Sequence, residues 1–232
     1  MKSSYRGVSS ASSASSALSA FLVVSAFSAL SAFASLHAQL PITAGASVSI
    51  AEHRVTAGAG LERSSGTMFG LWAATDLPWQ TARARVSLRA GSLGANESSA
   101  FDRDVGELAL GATVPLGPWL GLDGGIVVRR YESALAAQRW VWGSIGLTGR
   151  AMMLDDAFTL SAGLSMMPWV SVSGVSRPDL AVAVHSALGY ATGRLTAMIR
   201  YELERFDFPA RDGFRRLEEL SSLQLGAAWK IR

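Results

Sequence analysis

The feature that most constrains this chain is alternation. Residues 81–90 read TARARVSLRA. Extended, that segment collects Ala82, Ala84, Val86, Leu88 and Ala90 on one face, and Thr81, Arg83, Arg85, Ser87 and Arg89 on the other. A period of two means a strand with one apolar and one charged face, because successive side chains point to opposite sides. The pattern returns at Leu108, Leu110, Ala112 and Val114 against Glu107, Ala109, Gly111 and Thr113. It returns again at Leu195, Ala197, Ile199, Tyr201 and Leu203 against Thr196, Met198, Arg200, Glu202 and Glu204. The last segment sets Leu223, Leu225, Ala227, Trp229 and Ile231 against Gln224, Gly226, Ala228, Lys230 and Arg232.

Turn signals organise these strands. Breaker clusters at 75–80, 115–118, 154–156 and 191–194 recur about every 38 residues. Five hairpins fit between residue 39 and the end of the sequence, which predicts about ten antiparallel strands. The intervening connections, at 91–104, 132–139, 168–179 and 209–219, read as longer and more polar. Short turns at one end and long loops at the other match a transmembrane barrel. The first unit is ambiguous: residues 43–51 and 55–62 form either one kinked strand or two elements, so eight strands stays open.

Hydrophobic residues make up 49% of the chain, yet no stretch after residue 38 is apolar for long enough to cross a bilayer as a helix. The absence of cysteine excludes a disulfide scaffold and a cysteine-ligated metal site. Residues 1–38 read as a cleaved signal peptide. Lys2 and Arg6 give the positive start, residues 18–33 the apolar run, and cleavage is expected after Ala34, in Ala32-Phe33-Ala34, or after Ala38. The domain that follows spans 39–232. Without the leader the charge is close to balanced. The densest basic pairs, Arg129-Arg130 and Arg215-Arg216, read as loop or lumen charges, and no nucleic-acid partner is expected.

Alternation alone does not say which face is wet. The polar face also carries small residues, among them Gly121, Gly125, Gly146, Thr148, Ser161, Gly163 and Ala183, which suit the crowded interior of a narrow barrel. Trp79, Trp119, Trp140, Trp142, Trp169 and Trp229 fall near strand ends or turns, the expected place for interfacial girdles. With the leader, the hairpin spacing and the final strand 223–229, the chain resembles a small bacterial outer-membrane β-barrel protein. The resemblance is one of architecture over the whole mature chain. It implies an all-β fold, a closed antiparallel transmembrane β-barrel, location in the bacterial outer membrane, and two partners: outer-membrane lipid and the barrel-insertion machinery. Such proteins usually end in phenylalanine or tryptophan, whereas here Lys230, Ile231 and Arg232 follow Trp229.

Chemistry is sparsely signalled. No phosphate-binding G-x-x-x-x-G-K, H-E-x-x-H or G-x-S-x-G motif occurs, and no cofactor or metal is expected. His37 falls in the leader. His185 shares the lumen face with Ala181 and Ala183 and is a weak catalytic candidate, because its neighbour Ser186 faces the other way. A barrel protease of the omptin type would draw on His53, Asp102, Asp104 and Asp207. The better-supported reading concerns Arg83, Arg85, Arg89, Glu107, Asp123, Arg129, Arg150, Arg200, Glu202 and Glu204. All fall on the polar face and carry both signs, so they are expected to pair across the lumen as a structural plug. The function expected is structural, adhesive or narrow-pore. The alternatives are a barrel hydrolase acting on lipid or peptide, and an exported soluble barrel that binds an apolar ligand with Val86 and Leu88 turned inward.

Overall fold

The structure is a computed structural model that describes residues 41–77, 82–96, 101–211 and 213–231. The leader expected over 1–38, together with Trp79, Thr81 and Arg232, lies outside the described residues. Ten strands follow in order: β1 (Ile42–Ala57), β2 (Gly60–Leu77), β3 (Ala82–Ala95), β4 (Arg103–Pro115), β5 (Leu120–Ser133), β6 (Ala137–Met153), β7 (Phe158–Val172), β8 (Leu180–Thr192), β9 (Leu195–Arg211) and β10 (Phe214–Lys230). Each pairs antiparallel with its neighbours in sequence, and β1 pairs with β10, so the sheet closes on itself. Closure leaves no unpaired strand edge, the condition that hydrocarbon imposes on a spanning sheet.

The first unit is a hairpin, not one kinked strand. Gly58, at a φ of 61°, takes the left-handed conformation that lets β1 turn directly into β2. This settles ten strands over eight. Several connections are shorter than the sequence suggests. Residues 209–219 lie almost wholly within β9 and β10, and 132–139 reduce to a short turn between β5 and β6. Their polarity reflects strands that continue past the membrane, where both faces meet water. At the other end, the turn after β6 places Leu154, Asp155 and Asp156 at positive φ, and aspartate tolerates that region better than most residues.

Side-chain direction decides between membrane and soluble barrel. Ile50, Phe69, Leu71, Leu110, Ile126, Leu164 and Leu225 point outward and are at least half exposed. Arg85, Arg89, Glu107 and Arg200 line the interior. Val86 and Leu88 share the outward face, so the soluble ligand-binding alternative, which needs them inside, is overturned. The apolar belt runs from the end that carries both β1's start and β10's finish (the terminal end). It stops toward the other, distal end where outward side chains become charged: Glu52 on β1, Arg63 on β2, Asp104 on β4, Arg130 on β5, Arg139 on β6, Arg205 on β9 and Glu219 on β10. Strand segments distal to these residues lie outside the membrane-spanning part. They are longest on β1, β9 and β10, with β2 paired along β1 to its tip, and the β1 and β10 tips touch through Gly58 N donating to Arg215 O at 3.4 Å.

Two irregularities coincide with prolines. Between Gly143↔Trp169 and Ile145↔Met166 one extra residue is inserted in β7 at Met167 and Pro168. A second shift, between Phe214↔Arg211 and Arg216↔Phe208, brackets Pro209 in β9. Proline has no N–H for the ladder, so a bulge is where a strand accommodates it. In β7 the bulge also flips the face that points inward: Met167 is buried, Trp169 is exposed, and Val170 and Val172 are buried.

Candidate functional site in the barrel lumen

The lumen has three layers. The distal one is apolar. Trp140 and Trp142 on β6 and Phe206 and Phe208 on β9 are each no more than 2% exposed. Their rings meet edge to face, with Trp140 at 4.9 Å from Phe206 and Trp142 at 5.7 Å from it, the arrangement that ring quadrupoles favour. Leu93, Val105, Val170 and Leu220 complete this core. Trp140 and Trp142 were expected at the interface and are instead inside; Trp119, Trp169 and Trp229 do point outward, about half exposed or more. The signal was available, because Trp140 and Trp142 share parity with Gly146 and Thr148.

Above this core, beyond the belt, His53 stacks on Tyr131 at 5.0 Å. Its Nδ1 lies 3.1 Å from Arg103 Nη1 and its Nε2 lies 3.2 Å from Glu218 Oε2. A guanidinium can only donate, so Nδ1 accepts and the ring proton sits on Nε2, directed at Glu218. Burial holds the imidazole below its ordinary range, against the opposing pull of Glu218.

The middle layer is ionic. Arg129, 1% exposed, donates from Nε to Glu107 at 2.8 Å and from Nη1 to Glu204 at 2.6 Å. Its guanidinium lies 4.8 Å from the centre of the Trp142 ring, a cation over an aromatic face. Arg89 reaches Glu107 at 2.6 Å and Glu202 at 3.2 Å, and Arg200 reaches Glu202 at 3.4 Å. β3, β4, β5 and β9 thus contribute to one network across the barrel.

The terminal layer is a cavity of about 830 Å³. Asp76, Arg83, Pro115 and Ala191, at the terminal strand ends, border it, and the ionic layer floors it. Here Asp123 accepts hydrogen bonds from Thr113 Oγ1, at 2.5 Å, and from Thr148 Oγ1. His185 Nε2 is 3.4 Å from Thr148 Oγ1. With its only proton given to Asp123, the Thr148 hydroxyl must accept from His185. The imidazole is therefore a donor to this hydroxyl and not a base for it.

Of the ten residues read as a lumen network, Arg89, Glu107, Arg129, Arg200, Glu202 and Glu204 come together. Asp123 is bound by hydroxyls, and Arg83 faces Asp76 at 3.8 Å near the mouth. Among the described residues no ion pair holds Arg85 or Arg150. Arg85 lies instead over the Trp72 ring at 4.7 Å, a lumen partner the sequence reading missed. The protease candidates are not brought together. Asp207 is clamped by Arg215, with Nε at 2.6 Å; Asp102 caps Ala95 N and Asp104 accepts from Ser92; His53 is buried apart from all three. Among the described residues no cluster of histidine and carboxylates could hold a metal ion.

No family model matches the chain, and no curated protein matches it. Solved structures do. The outer membrane protease OmpT from Escherichia coli is 15% identical with a TM-score of 0.59, over 82% of this chain and 97% of that one. The translocator domain of autotransporter NalP from Neisseria meningitidis is 13% identical with a TM-score of 0.47, over 97% of this chain and 100% of that one. Ail, the attachment invasion locus protein of Yersinia pestis, is 14% identical with a TM-score of 0.32, over 82% and 98%. The fold is that of an outer-membrane β-barrel.

Proposed function

We propose that this chain is a non-conducting barrel of the bacterial outer membrane, exported by a cleaved leader over residues 1–38 and inserted by the barrel-assembly machinery. Its role is structural or one of surface contact, carried by the sheet that β1, β2, β9 and β10 raise beyond the belt. The observation that carries this reading is the closed distal lumen. Arg129, Trp140, Trp142 and Phe206 fill the cross-section with side chains that are almost wholly buried, as expected of a barrel too narrow for a water-filled channel. A narrow-pore role is disfavoured by the same packing.

The likeness to a protease raises a hydrolase reading, which the local chemistry does not favour. Asp102, Asp104 and Asp207 are each tied to another group, and the His185 imidazole donates to the hydroxyl beside it.

Two measurements test the proposal. On gels, the membrane fraction should yield a band whose mobility shifts only after heating, as closed membrane barrels do. In planar bilayers the purified barrel should give no stable unitary current. Steady channels from the unmodified protein would sink the non-conducting reading, and a soluble protein without a heat-dependent shift would sink the location.

A further inference from the structure

The charges of the lumen do not balance locally. Arg89, Arg129 and Arg200 are matched by Glu107, Glu202 and Glu204 in one connected network. Arg83 is matched by Asp76 at the mouth. That leaves Arg85 and Arg150 among the cavity's lining with no ion pair between described residues, while Asp123, the remaining carboxylate of that lining, accepts from Thr113 and Thr148. Arg85 is the more exacting case. The Trp72 ring covers one face of its guanidinium, and Arg200, a second cation, lines the same cavity. Arg200 itself holds Glu202 only at 3.4 Å, since Arg89 takes the other oxygen of that carboxylate.

A guanidinium stacked on an indole keeps its N–H edge free and fixed in direction, the presentation that suits two parallel hydrogen bonds to an oxyanion. The edge borders a cavity of about 830 Å³, which is ample for one tetrahedral anion with water. The low-dielectric wall around it strengthens the attraction of the unmatched charge. Trp72 is fixed from behind: a Cβ at Gly45 would stand 2.6 Å from the indole Cε2, so only glycine there lets the ring lie flat against the wall under Arg85.

We infer that the terminal cavity is a binding site for a small diffusible oxyanion of the phosphate or sulfate type, held by Arg85 and Arg200 and admitted past Arg83. This rests on the cavity and not on the sealed distal half, so it stands or falls apart from the conductance test.

The experiment is calorimetric titration of the folded full-length barrel in zwitterionic detergent with inorganic phosphate, at ionic strength held constant with sodium chloride. Saturable binding to one site is expected. Arg85→Gln and Arg200→Gln should each weaken it roughly tenfold or more, the loss of charge-assisted hydrogen bonds. Arg130→Gln, on the outer surface beyond the belt, should leave it unchanged. Phosphate should also raise the temperature at which the folded gel band disappears, and not in Arg85→Gln. Absence of saturable binding, or equal binding by Arg85→Gln in a band that still shifts on heating, would overturn the assignment. So would binding seen only with micelles doped with phosphatidic acid, which would make the source a lipid headgroup and not a free anion.

Discussion

Arg129 Nη1 donates to Glu204 Oε2 at 2.6 Å across the lumen, and no other basic side chain among the described residues pairs with Glu204. The contact joins β5 to β9, strands far apart both in sequence and around the barrel. It lies at the boundary between the dry aromatic layer and the wet cavity.

Because Glu204 has that one cationic partner, Arg129→Met strands a buried carboxylate. The variant should lose about 3–5 kcal/mol, the usual cost of breaking a buried pair from one side. Adding Glu204→Gln should recover part of the loss, since Glu107 keeps Arg89. Urea unfolding of the three proteins in detergent measures both effects. A double variant no more stable than Arg129→Met would show that the ionic contact is not what stabilises this layer.

Trp140 fills the distal core among Tyr131, Phe206 and Phe208. Trp140→Ala should cost about 3–5 kcal/mol and lower the temperature at which the folded gel band is lost. Current should still be absent, because Arg129 and Trp142 close the section below. Channels opening in this variant would mean that the aromatic layer alone is the seal.

Gly163 is the floor on which His185 rests. A Cβ there would stand 2.6 Å from Thr148 Oγ1 and collide with the His185 ring. Gly163→Ala should therefore destabilise the barrel by about 1–3 kcal/mol, as overpacking does, and His185→Ala should relieve the part that comes from the ring, leaving the Thr148 contact. Additive losses in the double variant would contradict the contact.

Stability should fall on mild acidification because of His53. Its imidazole lies beyond the belt and is held below its ordinary value of 6.5 by burial. A depressed folded value means that the stabilisation is complete above the unfolded value and declines as pH falls below about 6.5, since the unfolded chain takes up the proton first. His53→Gln should flatten the pH dependence below about pH 6.5. Parallel slopes for the two proteins in that window would assign the effect to another group.

Much of this was legible in the sequence. Alternation is a local property, so the parity of Arg83, Arg89 and Glu107 fixed their common face before any pairing was known. Hairpin spacing likewise pointed to about ten strands, with eight left open until the β1–β2 turn at Gly58 settled the count. The same parity, applied to Trp140 and Trp142, would have placed them inside, but proximity to turns pointed the other way. Polar strand extensions such as 209–219 read as loops because, beyond the membrane, polarity no longer separates strand from turn.

What the sequence by itself determined is which side chains of a regular strand share a face, because in an extended chain direction depends only on odd or even position; which face turns inward was settled by the closed sheet. What only the tertiary structure decided is which of those side chains meet. Register between neighbouring strands sets Arg129 beside Glu107 and Arg85 near Trp72, and closing the sheet sets the stagger between opposite walls that brings Arg129 to Glu204. Local period carries no information about separation across a lumen.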